Sequence, residues 1–181
     1  MWTPASGTKE LAQHFGEERA FELLTRLLAG EVSQNELVAS PYLEVLRFIG
    51  RTDATTFFQG ERGKRHAYWS RVWSARALAY LGDDSAATWL QGALLDDHWR
   101  VRMTAAQTLG RLHIEGHEEA LSECLVDNHP RVRAAAATAL GRTGNEFAID
   151  PLQEAIDDEA EGVRQRADRA LARVEDRIKG Q

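Results

Sequence analysis

The chain has 181 residues, 43% hydrophobic and 28% charged, enough to bury a sizeable core as one domain or one small array. Its one cysteine, Cys124, excludes an intramolecular disulfide framework and a Cys-rich zinc module, and no apolar run approaches the ~20 residues of a membrane helix. The net charge of −6 argues against a general nucleic-acid coat.

Met1-Trp2-Thr3-Pro4-Ala5 lacks the basic-then-apolar order of a signal peptide, so a cytoplasmic location is expected. Residues 1–60 have helical patterning without an internal repeat and read as an N-terminal helical cap. Leu11 and Phe15 suit one short turn, Gly16 a break, and Phe21, Leu24, Leu27 and Leu28 an amphipathic helix ending at Gly30. Ser33-Gln34-Asn35-Glu36 is a capping box. Ser40-Pro41 reads as N-cap and first position of a helix with Leu43, Leu46 and Ile49 buried and Gly50 as its stop. Residues 51–63 have loop chemistry, and loops of this length are either functional or disordered. They hold Phe57 and Phe58, one of which is expected to plug the seam between cap and array while the other remains for contacts.

Residues 61–76 reverse the local charge: Arg62, Lys64, Arg65, Arg71 and Arg76 face only Glu61. His66, Tyr68, Trp69 and Trp73 are interleaved with them, and Trp89 follows in the same unit. Arg and aromatic side chains anchor protein interfaces and also stack on nucleic-acid bases. Alternatively, Trp69, Trp73 and Trp89 fill the space where the array meets its cap.

From there a period of 31 residues governs the sequence. Arg100-Val101-Arg102 returns as Arg131-Val132-Arg133, Val163-Arg164 follows after the same step, and Leu109-Gly110, Leu140-Gly141 and Leu171-Ala172 keep it. So do Leu90, Leu121 and Leu152, and Asp96, Asp127 and Asp158, whereas Leu81-Gly82 lies only 28 residues before Leu109-Gly110. Each unit reads as two helices around a Gly-containing break. A helix pair this short cannot bury its apolar face alone, so neighbours must stack. Asp96, Asp127 and Asp158 stand where a carboxylate caps the next helix, and Arg102, Arg133 and Arg164 are placed to pair with them in a ladder, a structural role. After Val163 one helix runs to about Ile178 with no partner. There Arg166, Asp168 and Arg169 replace Ala135, Ala137 and Thr138, as suits a terminal cap.

The order Asp-x-x-x-x-Val-Arg-x-x-Ala-x-x-x-Leu-Gly, standing at Asp96–Gly110 and Asp127–Gly141, resembles HEAT repeats of the short bacterial type found in phycobilisome-lyase-like proteins. The likeness covers residues 69–174. It implies a stacked helical array, and it brings three enzymatic comparisons. Deoxyhypusine hydroxylase, similar in fold, holds di-iron through repeated His-Glu pairs; here His117-Glu118 stands alone, with Ala86-Ala87 and Ala148-Ile149 at the matching positions. Bilin lyases share only positions that specify helix packing, which do not transfer activity. HEAT-like alkylpurine DNA glycosylases use a basic groove, whereas the second helices here offer Gln91, Glu119, Ser122, Asp150 and Gln153, a neutral to acidic lining that repels phosphates. His113 and His117 have zinc-like spacing but straddle Gly116 in an expected turn. His98 and His129 suit loop hydrogen bonding. Cys124 aligns with Ala93 and Ala155 and reads as core.

The expected fold is therefore an all-α right-handed superhelix, a HEAT-repeat solenoid: cap at 1–60, array at 61–181, helix pairs at about 64–95, 99–126 and 130–157, and a capping helix at 161–178. No catalytic, cofactor or metal residues are expected. The expected role is a non-enzymatic adaptor that binds another protein through two surfaces. One is the second-helix face, with Thr88, Gln91, Glu119, Ser122, Asp150 and Gln153, suited to a basic segment; the other is the cap junction, with Phe57, Phe58, Arg62, Lys64, Arg65 and Trp69, suited to an acidic or phosphorylated one. The alternatives are a bilin-lyase-like chromophore enzyme or chaperone, and nucleic-acid or phosphate binding through residues 62–76.

Overall fold

The computed structural model describes residues 1, 3–50, 54–81 and 85–180, and all regular structure among them is helical. The chain divides into two units, Met1–Trp89 and Leu90–Gln181.

In the first unit, α1 (Pro4–Phe15) is longer than the turn expected around Leu11 and Phe15. Thr3 and Ser6 cap it reciprocally, Thr3 Oγ1 accepting from the Ser6 N–H and Ser6 Oγ from the Thr3 N–H, with Pro4 at the first helical position. Gly16 turns the chain at φ +82° into α2 (Glu17–Leu28), which buries Leu23, Leu24, Leu27 and Leu28. The capping box at Ser33 forms as expected and starts α3 (Gln34–Leu37). Helix α4 (Tyr42–Gly50) departs from expectation: Pro41 lies in a turn after a cis Ser40–Pro41 bond, and the buried stripe is Tyr42, Val45, Leu46 and Ile49, with Leu43 half-buried.

The loop expected over 51–63 is not a loop where it is described. Residues 51–53 lie outside the described residues; beyond them stand α5 (Ala54–Phe58) and α6 (Gly60–His66). Tertiary contacts hold these short helices. Phe58 is fully buried, and the Gln34 side-chain amide donates to the Phe58 and Gly60 carbonyls at 3.1 and 2.8 Å. Gly63 lies so close to the Phe58 carbonyl that an added Cβ would sit 1.8 Å from its oxygen. Helix α7 (Tyr68–Leu78) buries Val72, Trp73, Ala75 and Leu78, and α8 (Ala86–Ala93) contributes residues to both units.

The second unit is built on the 31-residue repeat. Helix α9 (Trp99–Leu112) is followed by α10 (Glu118–Glu123) and a 3-10 turn at Cys124–Val126; α11 (Pro130–Thr143) by a 3-10 turn at Glu146–Ala148 and α12 (Ile149–Ala155); α13 (Glu161–Lys179) stands alone. Equivalent residues fill the core at each step: Val101, Val132 and Val163; Ala105, Ala136 and Ala167; Leu109 and Leu140; Leu121 and Leu152. Burying a Val or Leu contributes about 1.5–3 kcal/mol, and the repetition makes that burial continuous. The Leu-Gly pair explains the close approach of the first helices. A Cβ on Gly110 would lie 2.7 Å from the Ala139 Cα, and one on Gly141 2.9 Å from the Ala170 Cα. At the far end Arg177 donates to the Gly141, Arg142 and Gly144 carbonyls, satisfying the C-terminal carbonyls of α11. The molecule is thus an all-α repeat solenoid with an N-terminal helical region.

Candidate docking clefts

The repeated Asp and Arg build the second unit's polar spine. Asp96, Asp127 and Asp158 each accept, through Oδ1, the backbone N–H two residues on, at 2.7–2.8 Å. Arg102 then reaches Asp127 of the next repeat through Nε and Nη2 at 2.6 and 2.9 Å, while its Nη1 donates to the carbonyls of Asp96 and Asp97. Arg133 repeats the fork on Asp158 at 2.6 and 2.9 Å, with a further contact to Glu159 at 3.1 Å. Burial pushes the Asp127 carboxyl upward, but the Arg102 fork, the His129 N–H and the adjacent positive charge outweigh it and leave the group below the usual carboxylate range. Asp158 is lowered chiefly by its hydrogen bond from Arg133. Such two-pronged pairs fix the spacing and angle of neighbouring repeats. His98 and His129 lie between these groups as helix caps, each Nδ1 accepting the N–H two residues on at 3.2 Å, and the Trp99 ring stacks on His129 at 3.8 Å.

The same spine underlies two equivalent clefts. One, of about 460 Å³, is lined by Gln91, Leu94, Leu95 and Asp96 on one side and by Ala120, Glu123, Cys124 and Val126 on the other, with Arg102 and Asp127 in it. The second, of about 650 Å³, has Ser122, Leu125, Val126 and Asp127 facing Pro151, Glu154 and Ala155, with Arg133 and Asp158. The second-cleft residues just named each stand 31 positions beyond a residue of the first, whereas Val126 of the first has as its counterpart Asp157, which does not line the second. Leu95 and Val126, equivalent to one another, are 82% and 80% exposed aliphatic side chains on the rims, and Val126 belongs to both clefts.

A profile of HEAT repeats matches residues 65–123 and 115–172. The chain belongs to the HEAT-repeat family. No match is found among curated proteins.

Of the HEAT-repeat residues expected to make contacts on second helices, Gln91 and Ser122 line the clefts. Gln91 is also held by His117 Nδ1 at 3.1 Å. Glu119, Asp150 and Gln153 are exposed but outside the clefts, and Thr88 is exposed in the first unit. Sequence reasoning missed Leu95, Val126, Glu123 and Glu154. For Leu95 and Val126 the signal was an aliphatic residue repeated just after a helix end, where a polar turn is normal.

The cap-junction set comes apart in the first unit. Phe58 is core, a correction to its place among the contact residues. Phe57 is half-buried, with its ring centroid 5.2 Å from His66 and 5.5 Å from Trp73. Trp73 is buried, Trp69 half-buried and 6.0 Å from Trp73, and Trp89 exposed, so the three tryptophans divide between the two readings. Arg62, Lys64 and Arg65 are exposed, Lys64 pairing with Glu61 at 2.5 Å. Arg76 instead turns inward to the Ile49 carbonyl, and burial lowers its pKa. The basic aromatic segment is therefore partly core and offers no continuous track for a phosphate backbone.

The remaining chemical candidates are structural. Cys124 is buried, and that burial pushes its thiol up to about 11. Glu118 turns its carboxylate to the Gly116 N–H at 3.0 Å, and His113 ends α9 in the left-handed region at φ +56°. Among the described residues no group of three or more His, Cys, Asp and Glu is placed to hold a metal, and no helix is long and apolar enough to cross a membrane.

Proposed function

We propose that this HEAT-repeat protein is a non-catalytic cytoplasmic adaptor that binds a segment of a partner protein across the two equivalent clefts. The observation that carries this reading is the repetition of one cleft with Leu95 and Val126 on its rims. Exposed aliphatic side chains beside carboxylates suit a segment with apolar anchors and basic neighbours. Of the nearby acids, Asp127 and Asp158 are neutralised by their arginines, while Glu123 and Glu154 remain for a cationic partner. The arrangement matches what solenoids offer, an extended surface read repeat by repeat.

Quantitative affinity purification from native cells tests this with the unaltered chain beside Leu95→Asp and Val126→Asp. A discrete protein recovered with the unaltered chain and lost with both variants, at unchanged melting temperature, is the expected result. Equal recovery by the variants overturns it. The phycobilisome-lyase-like character of the short repeats is a finer reading of the same array; an absorption change on mixing with a free bilin would support it and displace the adaptor.

A further inference from the structure

The final helix carries a second, differently charged surface. Arg166 and Arg169 of α13 stand where α11 has Ala135 and Thr138, and Arg173 stands where it has Arg142. Together with Thr138 and Ala170, the guanidinium side chains of Arg142, Arg166, Arg169 and Arg173 line a cleft of about 260 Å³ between α11 and α13. All four arginines are exposed, no carboxylate lines the cleft, and among the described residues none of the four pairs with an acidic group. Arg166 donates to the Gly162 carbonyl at 2.7 Å and Arg169 to the Gln165 carbonyl at 2.9 Å, which steadies both side chains and leaves most of their N–H groups unused.

Capping an array requires only that the last helix be polar on its uncovered face. Helix α13 does contain Asp168, Glu175 and Asp176, yet none of them lines the cleft, whereas three arginines at i, i+3 and i+7 do. That segregation of charge is more than solubility demands.

We propose that this cleft receives the phosphoryl group of a phosphorylated segment of a partner protein. A phosphorylated side chain concentrates about −1.5 to −2 charge on three acceptor oxygens, which several planar guanidinium forks can share. A single carboxylate would leave most of the positive charge unbalanced. A nucleic-acid strand needs a run of phosphate contacts, and the flanking carboxylates of α13 repel one. The cleft's small volume suits one compact dianion. This site lies on first helices and attracts the opposite charge from the second-helix clefts, so it does not depend on the adaptor reading.

Fluorescence anisotropy of a labelled heptapeptide with one central phosphoserine among glycines and alanines, titrated with the full chain at low salt, tests the proposal. Saturable binding is expected, weakened by at least about tenfold in Arg169→Gln/Arg173→Gln and in Arg142→Gln, as loss of charge-assisted contacts requires. The unphosphorylated peptide is expected not to bind. These side chains are exposed, and circular dichroism melts confirm that each variant is folded. Absence of binding, equal binding of the unphosphorylated peptide, or undiminished binding by both folded variants overturns the proposal. So does inorganic phosphate binding as tightly as the phosphopeptide, which marks a free-anion site, or tighter binding of a single-stranded heptanucleotide, which marks a nucleic-acid surface.

Discussion

Arg133 and Asp158 are only 8% and 9% exposed, and at that depth the pair cannot be judged by the small worth of surface ion pairs. Replacing Asp158 by Ala leaves a buried guanidinium with its main partner gone, and about 3 kcal/mol of stability should be lost in urea titrations. Acid acts on the same groups. Because the Asp127 and Asp158 carboxyls are held below their ordinary values only when the chain is folded, their stabilisation is complete above about pH 4 and disappears as pH falls through the lowered folded values. The melting temperature should therefore drop on acidification below that point, and drop less for Asp158→Asn, which starts lower. Cys124 gives a second test at this scale. With its thiol pushed up to about 11 by burial, a disulfide reagent at about pH 8 should leave it unmodified in the folded chain and react promptly in denaturant.

Between elements, the close contacts at Gly110 and Gly141 outweigh helix propensity. An alanine in a helix is ordinarily better than glycine by about 1 kcal/mol, so Gly92→Ala, with nothing within 4 Å of its added Cβ, should raise the melting temperature. Gly141→Ala should instead lower stability by about 1–3 kcal/mol, because the new methyl meets the Ala170 backbone rather than a flexible side chain. The 31-residue step made this part of the fold legible, since every repeated Val, Ala, Leu and Gly reinforces one register. Outside the repeat, legibility depended on local signals. Ser33–Glu36 was read correctly because a capping box is self-contained. Thr3-Pro4 offered a similar start signal for α1, but with Ser6 in place of Glu or Gln it went unread. Helix α5 could not be read locally: Ala-Thr-Thr-Phe-Phe has weak helix propensity, and what holds it is the burial of Phe58 and the reach of Gln34 from 24 residues away. The clefts were half legible. Gln91 and Ser122 follow from the repeat, whereas an exposed Leu95 or Val126 has the same spelling as a core residue.

For the whole molecule, stability in such an array passes from neighbour to neighbour, which makes the last helix structurally necessary. Helix α13 packs along α11, with Ala170 closing on Gly141, and satisfies the C-terminal carbonyls of α11 through Arg177. A chain shortened to end at residue 159 should bind a hydrophobic dye and elute as aggregates in size-exclusion chromatography, where the full chain does neither. The shared rim at Val126 has a consequence for whatever lies across the clefts. Two equivalent seats separated by one helix-to-helix step of about 8–10 Å act as a ruler, and an extended chain covers that distance in roughly three residues. A ligand segment should therefore carry its apolar anchors about three positions apart. A segment with a third anchor in phase would have two registers open to it, distinguished by the exchange of Gln91, Leu95, Ala120 and Cys124 for Ser122, Val126, Pro151 and Ala155.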